Sequence, residues 1–191
     1  MIIGPPDSLE TVFSKVRYEL SLGVSNNNHP FRYGCLATYS QRGAPGLRYI
    51  VLRKIVSELN LVFFTDKRSA KVKQMERQPE LSILFYHPHE RLQVRVSGKA
   101  IIHGSGDLVS QYWSTIARTG WKQYSSLLSP GEKIQHPEDA FSWAKLARWK
   151  YFVVVEVIAG ACEVLQLNRD EHMRAFYEKS SGIWTSSWLS P

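Results

Sequence analysis

Residues 81–102 read LSILFYHPHERLQVRVSGKAII, two β-type runs joined by the turn His87-Pro88-His89-Glu90. Alternation with a period of two puts Leu92, Val94 and Val96 on one face of the second run and Arg91, Gln93 and Arg95 on the other. The apolar set can build a core. The polar set aims two guanidiniums and a carboxamide at a common surface. That surface is either a solvated outer face or a ligand-facing wall, where a glutamine can both donate to and accept from a heterocycle.

Working outward, the same pattern recurs on both sides. Upstream lie strand candidates at Tyr33–Ser40, Leu47–Val56 and Leu59–Thr65, with a Gly43, Pro45 and Gly46 turn after the first and a short link, Ser57 to Asn60, before the last. Downstream lie Tyr151–Ile158, Ala161–Leu167, Met173–Glu178 and Ile183–Leu189. Helical spacing is found at about 7–22, where Leu9, Val12, Phe13, Val16 and Leu20 form a stripe. Asp7 or Ser8 is placed to cap it, and Gly23 to end it. Ser69 opens a short helix stopped by Pro79, and Asp107–Arg118 and Pro137–Arg148 are further helical candidates. Strands outnumber helices and follow one another as hairpins. The expected fold is mainly β, an antiparallel barrel with peripheral helices, in one domain spanning 1–191.

Composition narrows the setting. The chain is 43% hydrophobic and 21% charged, an ordinary globular balance. Its two cysteines, Cys35 and Cys162, lie far apart in apolar surroundings and are expected as buried free thiols in a reducing compartment. No apolar run approaches the ~18 residues of a membrane span, and the start has no basic, then apolar, leader. The expectation is a cytoplasmic protein. A net charge of +7 suits a polyanion or a phosphorylated cofactor. Lysines and arginines are interleaved with acids and form no continuous stripe, which argues against a nucleic-acid surface.

Two further clusters suit a phosphate. In TDKRSAK (65–71), a strand passes into a helix, so backbone N–H groups and the helix dipole favour an anion, and Ser69 and Lys71 add donors. In RYIVLR (48–53), Arg48 and Arg53 are an odd number of positions apart, so a regular strand sends them to opposite faces. Either a bulge realigns them or they serve different ligands. His87 and His89 form an H-x-H pair, but Pro88 favours a turn and no carboxylate–cysteine set completes a metal site, so no metal is expected. The tryptophans 113, 121, 143, 149, 184 and 188 crowd the second half and are expected mostly in core and interface packing, with one or two available to cover a flat ligand.

Taken together, RYIVLRK (48–54), FFTDKRSAK (63–71), LQVRVSG (92–98), CEVLQL (162–167) and EHMRAFY (171–177) resemble the pyridoxamine 5′-phosphate oxidase-related flavoproteins in order and spacing. The resemblance covers roughly residues 33 to 191. It implies an FMN-binding split β-barrel, a homodimer with FMN at the subunit interface, and flavin-dependent oxidoreduction of a small molecule. Carried over by position, it implies Arg48, Arg53, Phe64, Thr65, Ser69, Lys71, Gln93 and Arg174 as cofactor-binding residues. Arg53, Tyr112 and His172 are implied on the substrate side. The departures concern both halves. Ala70 and Leu92 stand where the oxidase has arginines, and Leu165 where it has a tryptophan. On the substrate side, Ile116 and Asp170 replace two further arginines. The expected substrate is therefore one other than pyridoxine or pyridoxamine phosphate, with the true oxidase and a non-catalytic flavin binder as alternatives.

Overall fold

The computed structural model describes residues 1–40, 43–116, 120–143, 149–169 and 171–191, and of Trp121 the backbone only. Among the described residues, nine strands form one antiparallel sheet: β1 (Tyr33–Tyr39), β2 (Pro45–Val51), β3 (Lys54–Val56), β4 (Asn60–Asp66), β5 (Glu80–His87), β6 (Leu92–His103), β7 (Phe152–Gln166), β8 (Met173–Ser180) and β9 (Ile183–Leu189). The helices are α1 (Leu9–Ser25), α2 (Ala70–Arg77) and α3 (Asp107–Ile116).

The strand order β2-β1-β5-β6-β7-β4-β3 puts β2 and β3 at opposite ends of the sheet, yet only Leu52 and Arg53 separate them in the chain. The three Cα steps from Val51 to Lys54 reach only about 11 Å, so the sheet must roll until its ends meet. No ladder joins β2 to β3 among the described residues, and the barrel stays split. At the seam, Leu52 N–H donates to the Arg32 carbonyl at 2.9 Å and Arg53 N–H to the Val62 carbonyl at 2.8 Å. This satisfies the backbone where the ladder stops. The run Leu47–Val56 is therefore two strands with a break at Leu52, not one.

The inward residues Leu36, Ile50, Phe63, Ile83, Phe85, Val94, Val96, Val155 and Val164 are buried and fill the barrel. One end is closed by α1 through Val12, Val16 and Leu20, all fully buried. Ser8 caps α1 by accepting from Thr11 N–H, while Asp7 pairs with Lys15 at 2.8 Å. The helix runs past Gly23 to Ser25. Glycine is needed there for approach, because a Cβ would lie 2.5 Å from the Phe31 carbonyl oxygen.

A second cluster, Val62, Val109, Ile116, Tyr124, Phe152 and Val154, lies under α3 on the other side of β4 and β7. Both faces of these strands are buried, which is why Leu61–Phe63 and Phe152–Val155 read as unbroken apolar runs.

The two expected strands at 151–158 and 161–167 are one, β7, which pairs with β6 throughout. On its other edge it pairs first with β4 and then with β8. The register shifts between Ser97 and Gly98, and a Cβ on Gly98 would sit 2.1 Å from the Ile158 carbonyl oxygen. Backbone meets backbone at this bulge. Gly98→Ala is expected to lower stability by about 1–3 kcal/mol. An unchanged urea midpoint would show that the strands can part there without cost.

Three other expectations change. Among the described residues of the candidate helix Pro137–Arg148, the chain forms a 3₁₀ turn at Pro137–Ala140, and residues 144–148, like 117–118 of the candidate Asp107–Arg118, lie outside the described residues. Cys162 is buried, and burial pushes its thiol up to about 12. Cys35 is only half-buried, because it lies opposite Leu84 on the outer face. Trp113 packs on Phe152 and Trp184 on Phe13, but Trp143, Trp149 and Trp188 are exposed on this chain.

Candidate functional site

Strand β4 delivers Thr65 to the end of the barrel, and the turn after it opens α2 with Ser69 at the N-cap. Ser69 does not use its hydroxyl to cap the helix. Its Oγ is buried without a hydrogen-bond partner, an arrangement that costs free energy unless a ligand supplies one. Lys71 Nζ donates to Thr65 Oγ1 at 3.0 Å. From β2, Arg48 reaches the same place. It donates to Gln74 Oε1 and the Gly46 carbonyl, both at 2.9 Å, and to Thr38 Oγ1. Burial holds Arg48 below its ordinary value. Lys71 is lowered by burial and then by the Arg48 guanidinium, with Asp66 opposing.

The nearby carboxylate is engaged elsewhere. Asp66 accepts from Arg68 Nε at 3.0 Å, from its terminal nitrogen at 2.6 Å and from its backbone N–H at 2.8 Å. Arg68 is turned away from the cradle, stacking 3.6 Å over Tyr151 and donating to the Ser126 and Leu127 carbonyls. Among the described residues, Arg48 and Lys71 thus hydrogen-bond only to neutral groups, at a helix N-terminus, beside an unsatisfied hydroxyl. That donor set suits a phosphate monoester.

A second group adjoins it. Phe64 and Thr65 are neighbours on β4 and point to opposite sides. The Phe64 ring lies 5.1 Å from Tyr112, and Arg53 stands 5.7 Å from its centroid. Lys54 stands 5.6 Å over Tyr112. The Arg53 Nε is buried without a partner, and its guanidinium works against the burial that raises Tyr124. The break at Leu52 therefore lets Arg48 and Arg53 serve different surroundings.

The third group lies on the outer face of the sheet. Gln93, Leu165 and Arg174 are direct cross-strand partners on β6, β7 and β8. Glu163 joins Arg174 at 3.0 Å and Arg95 at 2.6 Å. Arg48, by contrast, pairs across the ladder with Leu36, whose side chain faces the barrel interior. One chain thus brings Arg48, Thr65, Ser69 and Lys71 together and Arg53, Phe64 and Tyr112 together. It does not bring Gln93 and Arg174 to either set. His172 is exposed just before β8, and among the described residues no hydrogen bond or ring contact links it to Arg53 or Tyr112. Leu92 is fully buried, Ile116 belongs to the cluster under α3, and Asp170 lies outside the described residues.

Sequence reasoning missed Thr38, Gln74 and Glu163. Thr38 had no signal in an apolar strand. Glu163, a lone acid between buried neighbours in CEVLQL, did carry one. It also missed that His87, whose ring lies 6.4 Å from that of His89, meets His29 and Glu19 as well. His29 Nε2 lies 3.1 Å from Glu19, and the His29 and His87 rings are 5.6 Å apart. The Nδ1 atoms of both histidines accept backbone N–H bonds, from Phe31 and Glu90. In the neutral ring this puts the proton on Nε2, which leaves that nitrogen no lone pair for a metal.

The family described as pyridoxamine 5′-phosphate oxidase, FMN-binding domain, matches residues 14–104. A pyridoxine/pyridoxamine 5′-phosphate oxidase of Haemophilus influenzae is 30% identical over 165 residues, covering 82% of this chain and 78% of that one. One from Klebsiella pneumoniae is 31% identical over 166 residues, covering 82% and 75%. Among solved structures, a pyridoxamine 5′-phosphate oxidase-related, FMN-binding protein from Nostoc punctiforme superposes with a TM-score of 0.68 at 24% identity, covering 93% of this chain and 96% of that one. PhzG from Burkholderia lata, in complex with tetrahydrophenazine-1-carboxylic acid, gives 0.76 at 20% identity, covering 98% and 94%. Both share the split-barrel fold. The cradle of Arg48, Ser69 and Lys71 fits the phosphate of the family's cofactor. This chain belongs to the pyridoxamine 5′-phosphate oxidase family, and its cofactor is FMN.

Proposed function

We propose that the protein is a homodimeric, FMN-dependent oxidoreductase acting on a small molecule other than pyridoxine or pyridoxamine phosphate. The observation that carries the cofactor half is the buried, unpartnered Ser69 hydroxyl beside two cations that no carboxylate engages. Arg48, Ser69 and Lys71 hold the phosphate, with Thr65 steadying Lys71. When bound, FMN supplies hydride or two-electron chemistry. Gln93 and Arg174 face the isoalloxazine, where a carboxamide and a cation stabilise the negative charge gained on reduction.

Because Gln93 and Arg174 stand on the outer face, a single flavin touching both sets draws them from two copies of the chain. The outer face suits such pairing. Tyr49 is 75% exposed, Leu47 63% and Tyr33 54%, and the sheet also carries a concavity of about 1240 Å³ lined by Ala37, Ser82, Ser97 and Ala161. Arg48, Ser69 and Lys71 do not line that concavity, so we read it as subunit contact rather than ligand site.

On the substrate side, the proximity of Arg53 and Tyr112 to Phe64 supports a shared role. Ile116, at the oxidase's arginine, instead packs in the apolar cluster under α3. A doubly charged phosphate ester loses a cationic contact there, worth about 1.5–3 kcal/mol for a charged hydrogen bond. His172 contributes only if the partner copy or the substrate brings it to the ring. The names of the relatives favour a second reading, the true oxidase. No helix among the described residues is long and apolar enough to cross a membrane. The two free cysteines suit a cytoplasmic setting, and basic residues interleaved with acids suit a protein without a nucleic-acid partner.

The deciding experiment incubates FMN-loaded protein with pyridoxine and pyridoxamine phosphates under oxygen and measures pyridoxal phosphate. We expect negligible product, with light scattering reporting a dimer. Robust turnover would overturn the substrate assignment, and a monomer carrying FMN would overturn the shared site.

Lys71 also makes FMN affinity depend on pH. Its folded-state value lies below the ordinary 10.5, and a phosphate favours its charged form. Affinity should be full while Lys71 is protonated and fall as the pH rises through its lowered value, before a free lysine would titrate. A fluorescence titration of FMN between neutral and alkaline pH reads this. Lys71→Arg should hold affinity to higher pH.

A further inference from the structure

The pair of arginines on the outer face shares one carboxylate. Glu163 is nearly buried, its side chain only 10% exposed, and it spends one oxygen on each partner: Oε1 on Arg174 at 3.0 Å and Oε2 on Arg95 at 2.6 Å. Glu163 lies directly across from Arg95 on β6, while Arg174 on β8 is the cross-strand partner of Leu165, two positions on along β7. The sheet thus delivers all three charges to one face beside Gln93. A carboxylate this buried is stable only because both of its oxygens are engaged.

Holding Arg174 in this way leaves a donor over. Its Nε is buried and has no hydrogen-bond partner, although the terminal nitrogen is tied to Glu163. The guanidinium is therefore fixed in direction, with one buried donor, Nε–H, left for an acceptor that the described residues do not provide. Without Glu163, two like-charged guanidiniums would face each other across β7 and swing apart. With it, the group carries a net charge of one cation rather than two.

We propose that Glu163 is a positioning residue for the flavin. It fixes the Arg174 guanidinium so that its free Nε–H faces the cofactor, and it halves the positive charge that the reduced flavin meets. This rests on the reading above that places Gln93 and Arg174 at the isoalloxazine. A purely structural ion triad would respond to mutation through stability alone. A charge placed at the flavin must also change the ratio in which oxidised and reduced FMN bind, with a sign set by the charge removed.

The test is the midpoint potential of bound FMN, measured by dye-coupled reduction in the full-length protein, with thermal unfolding alongside. Glu163→Gln removes a negative charge. Reduced FMN should then bind up to about tenfold more tightly relative to oxidised FMN, a rise of about 30 mV. Arg95→Gln removes a positive charge while leaving Arg174 paired, and should move the potential in the opposite direction. Glu163→Asp keeps the charge but shortens the reach. It should weaken FMN binding severalfold with little change in potential. Opposite shifts in the two glutamine variants support the assignment. Potentials equal to wild type in the variants that fold and bind FMN would overturn it while leaving the cofactor reading intact. If Glu163→Gln fails to fold, Arg95→Gln alone decides by the sign of its shift. Wild-type protein that takes up no FMN would overturn both readings.

Discussion

Replacing Arg48 with alanine is expected to weaken FMN binding about 10- to 100-fold while leaving the protein folded. The magnitude follows from the loss of charged hydrogen bonds to the phosphate, about 1.5–3 kcal/mol, at about 1.4 kcal/mol per factor of ten. The fold should survive because the polar groups Arg48 now contacts have other partners. Thr38 Oγ1 already donates to Gln74 Oε1 at 2.6 Å, and the Gly46 carbonyl lies at the open end of the barrel. Arg48→Lys should fall between the two, since lysine restores charge but not the planar fork. Fluorescence quenching on titration with FMN gives the affinity. Wild-type affinity in Arg48→Ala would remove the phosphate from this cradle.

Phe152→Ala is expected to have the largest effect on stability, a loss of about 3–5 kcal/mol. Phe152 is fully buried, with ring centroids 5.1 Å from Phe64, 5.4 Å from Trp113 and 5.1 Å from Tyr124. It holds α3 and the Tyr124 turn against β4 and β7, so its removal opens a cavity directly behind Phe64. Urea unfolding should report the loss. The wall formed by Phe64 and Tyr112 should loosen with it. Stability unchanged within about 1 kcal/mol would mean that α3 and the Tyr124 turn close onto β7 without the ring.

The barrel was legible where one face is buried and the other is not. Leu92, Val94 and Val96 alternate with Gln93 and Arg95, and β6 follows that alternation. It was less legible where both faces are covered, because β7 carries no alternation to mark its course. The Gly160 region, which looks like a turn in sequence, is instead the far side of the Gly98 bulge. The break at Leu52 was invisible because LRYIVLRKIV (47–56) holds no glycine, proline or other turn signal. It comes from closure of the rolled sheet, a long-range constraint that no local pattern records.

The site was legible in part for the same reason. Ser69 and Lys71 lie within one strand-to-helix turn, and local chemistry marks them as candidate phosphate ligands. Thr38 and Gln74 join them only through tertiary packing. Gln93 and Arg174 could be named from resemblance. Their separation from the cradle depends on which face of the sheet they take, and this supports a ligand shared between two copies. Ile116 stands at an altered family position in the sequence. The structure adds that it is buried in a second core, so no small rotation returns that position to the substrate side.

The central claim, that Arg48, Ser69 and Lys71 grip the phosphate of FMN, is tested most directly by comparing FMN with riboflavin, which differs only in lacking that phosphate. Isothermal titration of the wild-type protein should show FMN binding at least about 100-fold more tightly, the yield of roughly two charged hydrogen bonds. Equal affinity for the two flavins would contradict it.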